Sequence, residues 1–400
     1  PECATGLGRS NARNYRGFGL LDPSEITFGS LMRDAGYRTA IAGKWQLTGG
    51  GGINATDNRG TTPTKCGFDQ SCMWAYERDI TVAEADEYFA KFPDGTKRKT
   101  SRFWQPAILQ NGRMLATTMD DFGPDIYSQF LLNFIEQNQN KPFFVFYPMA
   151  LAHNPFVPTP DTPGLNDGIK LKSNPEYFGD MIRYTEKIVQ RFMTKLDQLG
   201  LSENTLVIFT ADNGTYKQIV SRMGDRVVIG GKALPLDAGI HVPMLAWWKG
   251  KIAGGSVCND LIEFSDFLPT IVEAGHAQLP TDRPIDGRSF LARLKGEAYT
   301  PRDSIFIHYD KSPDSDEPEY RRVRFAFDGH FKLYIDGRMF NISRDIEEEH
   351  PLNMSRTTPE IKAIRIKLQS VLDSMPRWQP DNTVFNGEPD AQTQERTRRL

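Results

Sequence analysis

The sequence predicts an α/β protein, with a mainly parallel central sheet sandwiched by helices and a smaller C-terminal subdomain of antiparallel sheet plus helix. Three observations carry this. Apolar runs of strand length end abruptly in polar residues at three places, each run follows a helix-like segment, and near residue 300 the rhythm changes to short strands with tight turns.

The first run, "TAIAGKWQ" at 39–46, follows "EITFGSLMRDAG", which Gly36 closes as a helix stop. The second, "FFVFYPMALAHNPF" at 143–156, follows "DIYSQFLLNFIEQN", whose apolar residues repeat at three-and-four spacing. The third, "LVIFTADNG" at 206–214, follows a long segment that Gly200 ends. There Phe178, Met181, Ile182, Ile188, Val189, Phe192, Leu196 and Leu199 form one stripe. A further strand and helix follow in "VPMLAWW" and "LIEFSDFLPTIVEAG". Beyond them, "SIFIHY", "RVRFAFDGHFKLYID" and "RMFNIS" read as strands, with Asp328-Gly329 and Asp336-Gly337 as hairpin turns. An amphipathic helix, "PEIKAIRIKLQSVLDSM", packs on them, and a polar tail follows Trp378. The division falls at 1–298 and 299–400. No internal repeat is present, and the Gly-rich "TGGGGINATDNRG" lacks the lysine of a phosphate-binding P-loop.

Composition narrows the function. With 39% hydrophobic and 25% charged residues the chain is an ordinary globular one. A net charge of -3 gives no overall attraction to nucleic acid, and no apolar stretch is long enough to span a bilayer. Of the four cysteines, Cys3, Cys66, Cys72 and Cys258, the pair in "CGFDQSC" is close enough to bridge in an oxidising compartment. Free thiols are an equally open reading, and no zinc-type CxxC spacing occurs.

In open parallel sheets, ligands bind beyond the carboxyl ends of the strands. That rule places Lys44, His153 and the Asp212–Asn213 pair on one rim, though Asp-Asn-Gly also reads as a plain turn. A cation, an imidazole and two hard oxygen donors suit an anionic, oxygen-rich substrate and a hard divalent cation.

"GYRTAIAGKWQL", "KPFFVFYPMALAHNPF", "GLSENTLVIFTADNGT" and "GGKALPLDAGIHVPMLAWWKGKI", continued by "DLIEFSDFLPTIVEAG" and "DGRSF", resemble successive blocks of the type I sulfatases, relatives of alkaline phosphatase. The resemblance covers nearly the whole chain, in the family's order. It implies an alkaline phosphatase-like fold and a sulfuric ester hydrolase acting on sulfate esters, as small molecules or oligosaccharides, with sulfated carbohydrates foremost. It assigns Asp212 and Asn213 as ligands of one divalent cation, usually Ca2+, Lys44 as a contact to sulfate and nucleophile, and His153 and Lys232 as the groups that hold sulfate and assist the departing alcohol. Gln46 stands where many relatives have histidine, so it orients without moving protons. His241 faces either the substrate pocket or only its own loop, and Asp237-Ala238 replaces the family's frequent Glu-Gly.

The family's nucleophile is a formylglycine made from Cys or Ser in a C-x-P-x-R type motif, which these residues do not contain, nor do they contain the first pair of aspartate ligands. "PECATGLGRSNARNY" resembles the end of that segment, which places the nucleophile upstream of Pro1 and makes this an N-terminally truncated, inactive fragment. Cys3 is not the nucleophile, because "CATGL" lacks the Pro and Arg. The resemblance also implies a periplasmic or secreted location. The rival readings are a phosphoester or phosphonate ester hydrolase on the same scaffold and a non-catalytic glycan-binding relative. For His308, Arg321 and Arg322, near the entrance in this family, surface or packing roles take precedence, and the N-x-S/T triplets at Asn54, Asn341 and Asn353 carry little weight.

Overall fold

The computed structural model describes residues 21, 25–47, 62–76, 80, 82–91, 99–309 and 323–375. Cys3 and the opening segment, the Gly-rich stretch with Asn54, the pair Arg321–Arg322 and the tail after Trp378 lie outside the described residues.

The first part of the chain runs α1 (Phe28–Asp34), β1 (Arg38–Gly43), β2 (Gln70–Trp74), α2 (Val82–Phe89), β3 (Ile108–Gln110), β4 (Arg113–Met114), α3 (Gly123–Gln137) and β5 (Phe143–Phe146). Its five strands form one sheet in the order β4-β3-β2-β1-β5. β1 pairs parallel with both β2 and β5, Ala40 opposite Gln70 on one side and Val145 on the other, while β3 and β4 add antiparallel at the edge. The sheet is therefore mixed, with a parallel centre. β1 is buried along its whole length after Arg38, because helices cover both of its faces.

Alternation along the strands sorts the core into two layers. Ala40, Ala42, Cys72 and Trp74 point to one face, where Tyr127, Leu131 and Phe134 of α3 meet them; Ile41, Met73, Cys66 and Phe68 pack on the other. The two cysteines thus sit in different layers and are free buried thiols. Thr27 caps α1 in a reciprocal arrangement with Ser30, and Gly36 leaves that helix with φ +87°.

The next part comprises α4 (Asp167–Lys170), α5 (Phe178–Gln198), β6 (Val207–Thr210), β7 (Val220–Met223), β8 (Arg226–Ile229), α6 (Asp237–Ile240), β9 (Met244–Trp247), α7 (Phe267–Ala274) and α8 (Leu291–Leu294). α5 buries Met181, Tyr184, Thr185, Ile188 and Leu196. Ile182, expected on the stripe, is 47% exposed, and Tyr184 takes the inward place, its hydroxyl donating to Asp125 of α3 at 2.7 Å. β6 does not join the five-stranded sheet as a further parallel strand; it pairs antiparallel with β9, Ile208 opposite Ala246. An apolar run specifies a buried strand but not its neighbour, which is decided by tertiary pairing.

The C-terminal part forms a four-stranded antiparallel meander, β10 (Ile305–Tyr309), β11 (Val323–Phe327), β12 (Phe331–Tyr334) and β13 (Met339–Asn341), with α9 (Pro359–Ser374) packed on it through Leu368 and Leu372. Gly329 and Gly337 turn the two hairpins at φ +95° and +89°.

Candidate active site

Lys44 leaves the end of β1 beside the chain that continues from β5. Its amide donates to the Pro148 carbonyl at 2.8 Å, and a Cβ on Gly43 would lie 2.1 Å from the same oxygen. Only glycine permits this approach, which fixes the ends of two parallel strands together. Two residues on, Gln46 adopts φ +56°, a left-handed conformation that side chains rarely take.

The turn after β6 is built similarly. The Gly214 amide donates to the Gly239 carbonyl at 2.8 Å, and a Cβ there would meet the Ala238 oxygen at 1.9 Å. The glycine of Asn213–Gly214 is thus needed for room against α6. Thr215 then accepts from the Lys232 amide at 2.9 Å. Ala233, next in line, has φ +73°, and its carbonyl accepts from the Tyr309 hydroxyl at 2.8 Å, so the C-terminal sheet reaches the loop that bears Lys232.

These supports bring separated residues together. Lys44 Nζ lies 3.8 Å from Asp212 Oδ2, the lysine side chain 18% exposed and the carboxylate 71%. Burial lowers the pKa of Lys44, with Arg102 and Lys232 pushing the same way and Asp212 opposing. Lys232 is lowered by burial and Arg102, again against Asp212. His153, in the turn that its amide closes on Ala150 at 3.1 Å, is pushed down to about 4 by burial first, then by Arg102, with Lys232 and Lys44 contributing. Lys44, His153, Lys232 and Asp212 therefore share one electrostatic neighbourhood. Asn213 directly follows Asp212 in the same turn.

His241 is engaged otherwise. Its Nδ1 lies 3.1 Å from Asp237 Oδ1 and its side chain is 77% exposed. That hydrogen bond raises its pKa. His308 accepts from Arg324 Nε at 3.0 Å across the β10–β11 pair.

Arg102 is the participant that sequence reasoning missed. Its guanidinium is 4.6 Å over the Trp74 ring, lies 2.9 Å from His153 Nδ1 and donates to the Asn154 carbonyl. Burial pulls it down to about 10, so it is charged at neutral pH. It stands in an irregular stretch, "TSRFWQP", so the strand-end rule that finds the others gives no signal for it.

Two hard oxygen donors, Asp212 and Asn213, have the chemistry that calcium takes, but they are fewer than the six to eight oxygens it gathers. Among the described residues no cluster of three or more His, Cys, Asp or Glu side chains forms a ligand set. The pair fits as part of a cation site, and the remaining oxygens would come from elsewhere.

The chain matches the family model described as Sulfatase over residues 1–277. It is 27% identical over 295 residues to an arylsulfatase of Hemicentrotus pulcherrimus, covering 72% of this chain and 49% of that protein. The chain thus spans about half the length of that relative. Among solved structures it resembles Ps i-CgsB, at TM-score 0.68 and 19% identity over 99% of this chain and 85% of that one; that protein has also been solved in complex with k-i-k-neocarrahexaose. It also resembles BT4656 in complex with its substrate D-glucosamine-2-N, 6-O-disulfate, at TM-score 0.64 and 17% identity over 94% and 88% of the two chains. With the family model covering more than half its length, and an alkaline phosphatase-like arrangement of mixed sheet and separate C-terminal sheet beneath it, this chain belongs to the sulfatase family.

Proposed function

We propose that the protein of which these residues form part hydrolyses sulfate esters, with sulfated carbohydrates as the substrate class, and that Lys44, His153, Lys232, Asp212 and Asn213 furnish this chain's share of the site. The observation that carries the reading is the approach of Lys44 Nζ to Asp212 Oδ2 at 3.8 Å, beside His153 and Lys232. The k-i-k-neocarrahexaose and D-glucosamine-2-N, 6-O-disulfate named as ligands of the structural neighbours favour a glycan substrate.

A sulfate monoester carries its charge over several oxygens, and breaking the S–O bond moves charge onto the departing oxygen. Lys44 and Lys232, partly buried and fixed by the backbone bonds described above, present positive charge to those oxygens at little reorganisation cost. His153 is neutral at physiological pH, so it donates a hydrogen bond to a sulfate oxygen or the departing oxygen without adding a fixed charge. Gln46 offers a carboxamide that orients a neighbouring polar group and does not titrate. A divalent cation, when bound by Asp212 and Asn213 with further oxygens, supplies Lewis-acid polarisation of a sulfate oxygen. A formylglycine hydrate, when present outside the described residues, supplies the attacking oxygen.

The test is side-by-side turnover of an aryl sulfate and an aryl phosphate by the full-length, calcium-loaded protein. The reading expects the sulfate to be the better substrate, with Lys44→Ala reducing its turnover roughly a hundredfold. Preference for the phosphate would assign the site to phosphoester chemistry, and glycan binding without turnover of either ester would assign it to a non-catalytic relative.

A further inference from the structure

Arg102 is an unusual cation. It is only 8% exposed, no carboxylate among the described residues lies within ion-pair distance of it, and its Nε is buried without a partner. A buried guanidinium without an acid is costly, so its place is set by what it touches and by the charge that arrives beside it. What it touches is the Trp74 face, the Asn154 carbonyl and Nδ1 of His153. Its positive potential also reaches Lys44 and Lys232. Three cations and an imidazole thus crowd one locus with, among the described residues, one nearby carboxylate, Asp212, a balance that an anionic substrate corrects.

We propose that Arg102 is a positioning residue that holds His153 with its Nδ1 as acceptor and its proton on Nε2. The inference rests on the sulfatase reading above for its catalytic meaning, though not for its geometry. Nη2 of Arg102 carries two hydrogens and faces two acceptors, Nδ1 at 2.9 Å and the Asn154 oxygen. That oxygen is also 2.6 Å from Nδ1, which on distance alone would equally suit an Nδ1–H donor. Such a donor would set an imidazole N–H against a guanidinium N–H on a permanent cation. With Nδ1 unprotonated, both Nη2 hydrogens find acceptors and the guanidinium charge offsets the repulsion between the two lone pairs, whereas an Nδ1–H would leave one Nη2 hydrogen facing another N–H. Its consequence is an Nε2–H at the opposite edge of the ring, a donor for a sulfate oxygen or the departing alcohol. A histidine held as the Nδ1–H form would present a lone pair there and repel the same anion.

The experiment is 15N-edited NMR of the full-length protein with labelled histidine, assigning the His153 signal by its loss in His153→Ala. The expected wild-type signal is an unprotonated Nδ1 with a protonated Nε2, and a protonated Nδ1 overturns the proposal in one measurement that needs no activity. Arg102→Met, near in shape and uncharged, is expected to mix the two tautomers and to lower kcat roughly a hundredfold with KM changed far less. Arg102→Lys restores part of that loss through a single N–H donor. If Arg102→Met folds, as circular dichroism reports, and leaves the tautomer unchanged, the positioning role is wrong. A wild-type protein that shows the Nε2–H form yet turns over no sulfate ester would leave this geometry standing and defeat the sulfatase reading instead.

Discussion

Lys44 and Asp212 approach to 3.8 Å from the ends of two strands, β1 and β6, that lie in different sheets. On the proposed roles, in which Lys44 serves the anion and Asp212 the cation, the two should respond oppositely to removal. Asp212→Ala is expected to weaken calcium binding by roughly tenfold or more, since it deletes a charged oxygen donor. Lys44→Ala removes a repelling charge beside the cation, so calcium should bind as well or better while sulfate ester turnover falls. Calorimetric titration of the full-length variants with calcium, alongside initial rates, reads both signs. Weaker calcium binding in Lys44→Ala would mean that the two residues do not divide the work this way.

Acid stability follows from His153. Its folded pKa of about 4 lies below its ordinary value of 6.5, because burial and Arg102 oppose its charge. Above 6.5 both folded and unfolded states are neutral there and the group contributes no difference. As pH falls from 6.5 toward 4 the unfolded chain takes up the proton first, so the folded state loses stability across that window. Urea midpoints of the wild type should therefore decline between those values more steeply than those of His153→Gln, which cannot titrate. Identical slopes would show that His153 is not held neutral by its surroundings.

Lys332 carries a structural prediction. Its side chain is 2% exposed, pairs with the equally buried Glu348, and donates to the Pro235 carbonyl at 2.7 Å, within the loop between Lys232 and His241. Tyr334 completes the network by donating to Glu348 at 2.5 Å. Lys332→Met strands the Glu348 carboxylate in the core and should cost about 3–5 kcal/mol in denaturant unfolding. The double variant Lys332→Met/Glu348→Gln should recover much of that loss. Equal losses in the single and double variants would place the cost in the Pro235 bond alone.

Thiol labelling separates the cysteines. Burial pushes the Cys66 and Cys72 thiols up to about 11 and about 12, whereas Cys258 is exposed and accepts from Arg293 Nε at 3.3 Å. Of these three, Cys258 should react with iodoacetamide in minutes under native conditions, and Cys66 and Cys72 only after unfolding. Peptide mapping by mass spectrometry checks this. A Cys66–Cys72 disulfide recovered from native protein would contradict their placement in separate core layers.

Some of this was readable from residue order alone. Helix, apolar strand and polar strand end recur at Lys44, His153 and Asp212, and for Lys44 and His153 the preceding strands pair in parallel, as the strand-end rule requires, whereas Asp212 follows β6, which pairs antiparallel with β9. The hairpins at Gly329 and Gly337 were equally local, because Asp-Gly turn chemistry acts over four residues. The neighbour of β6 was not readable, since its apolarity is satisfied by β9 as well as by β5. Nor was Ile182, whose place on the stripe gave way to Tyr184 once Asp125 of α3 offered the hydroxyl a partner.

The sequence by itself determined the alternation of elements and the closing turns, because each depends on contacts within a few positions along the chain. Only the tertiary structure decided that Arg102 stands against His153, that Cys66 and Cys72 belong to opposite layers, and that Lys332 reaches the Lys232 loop. Those relationships join residues far apart in the chain, and the forces that fix them, burial of charge and close backbone approach, exist only after the layers have packed.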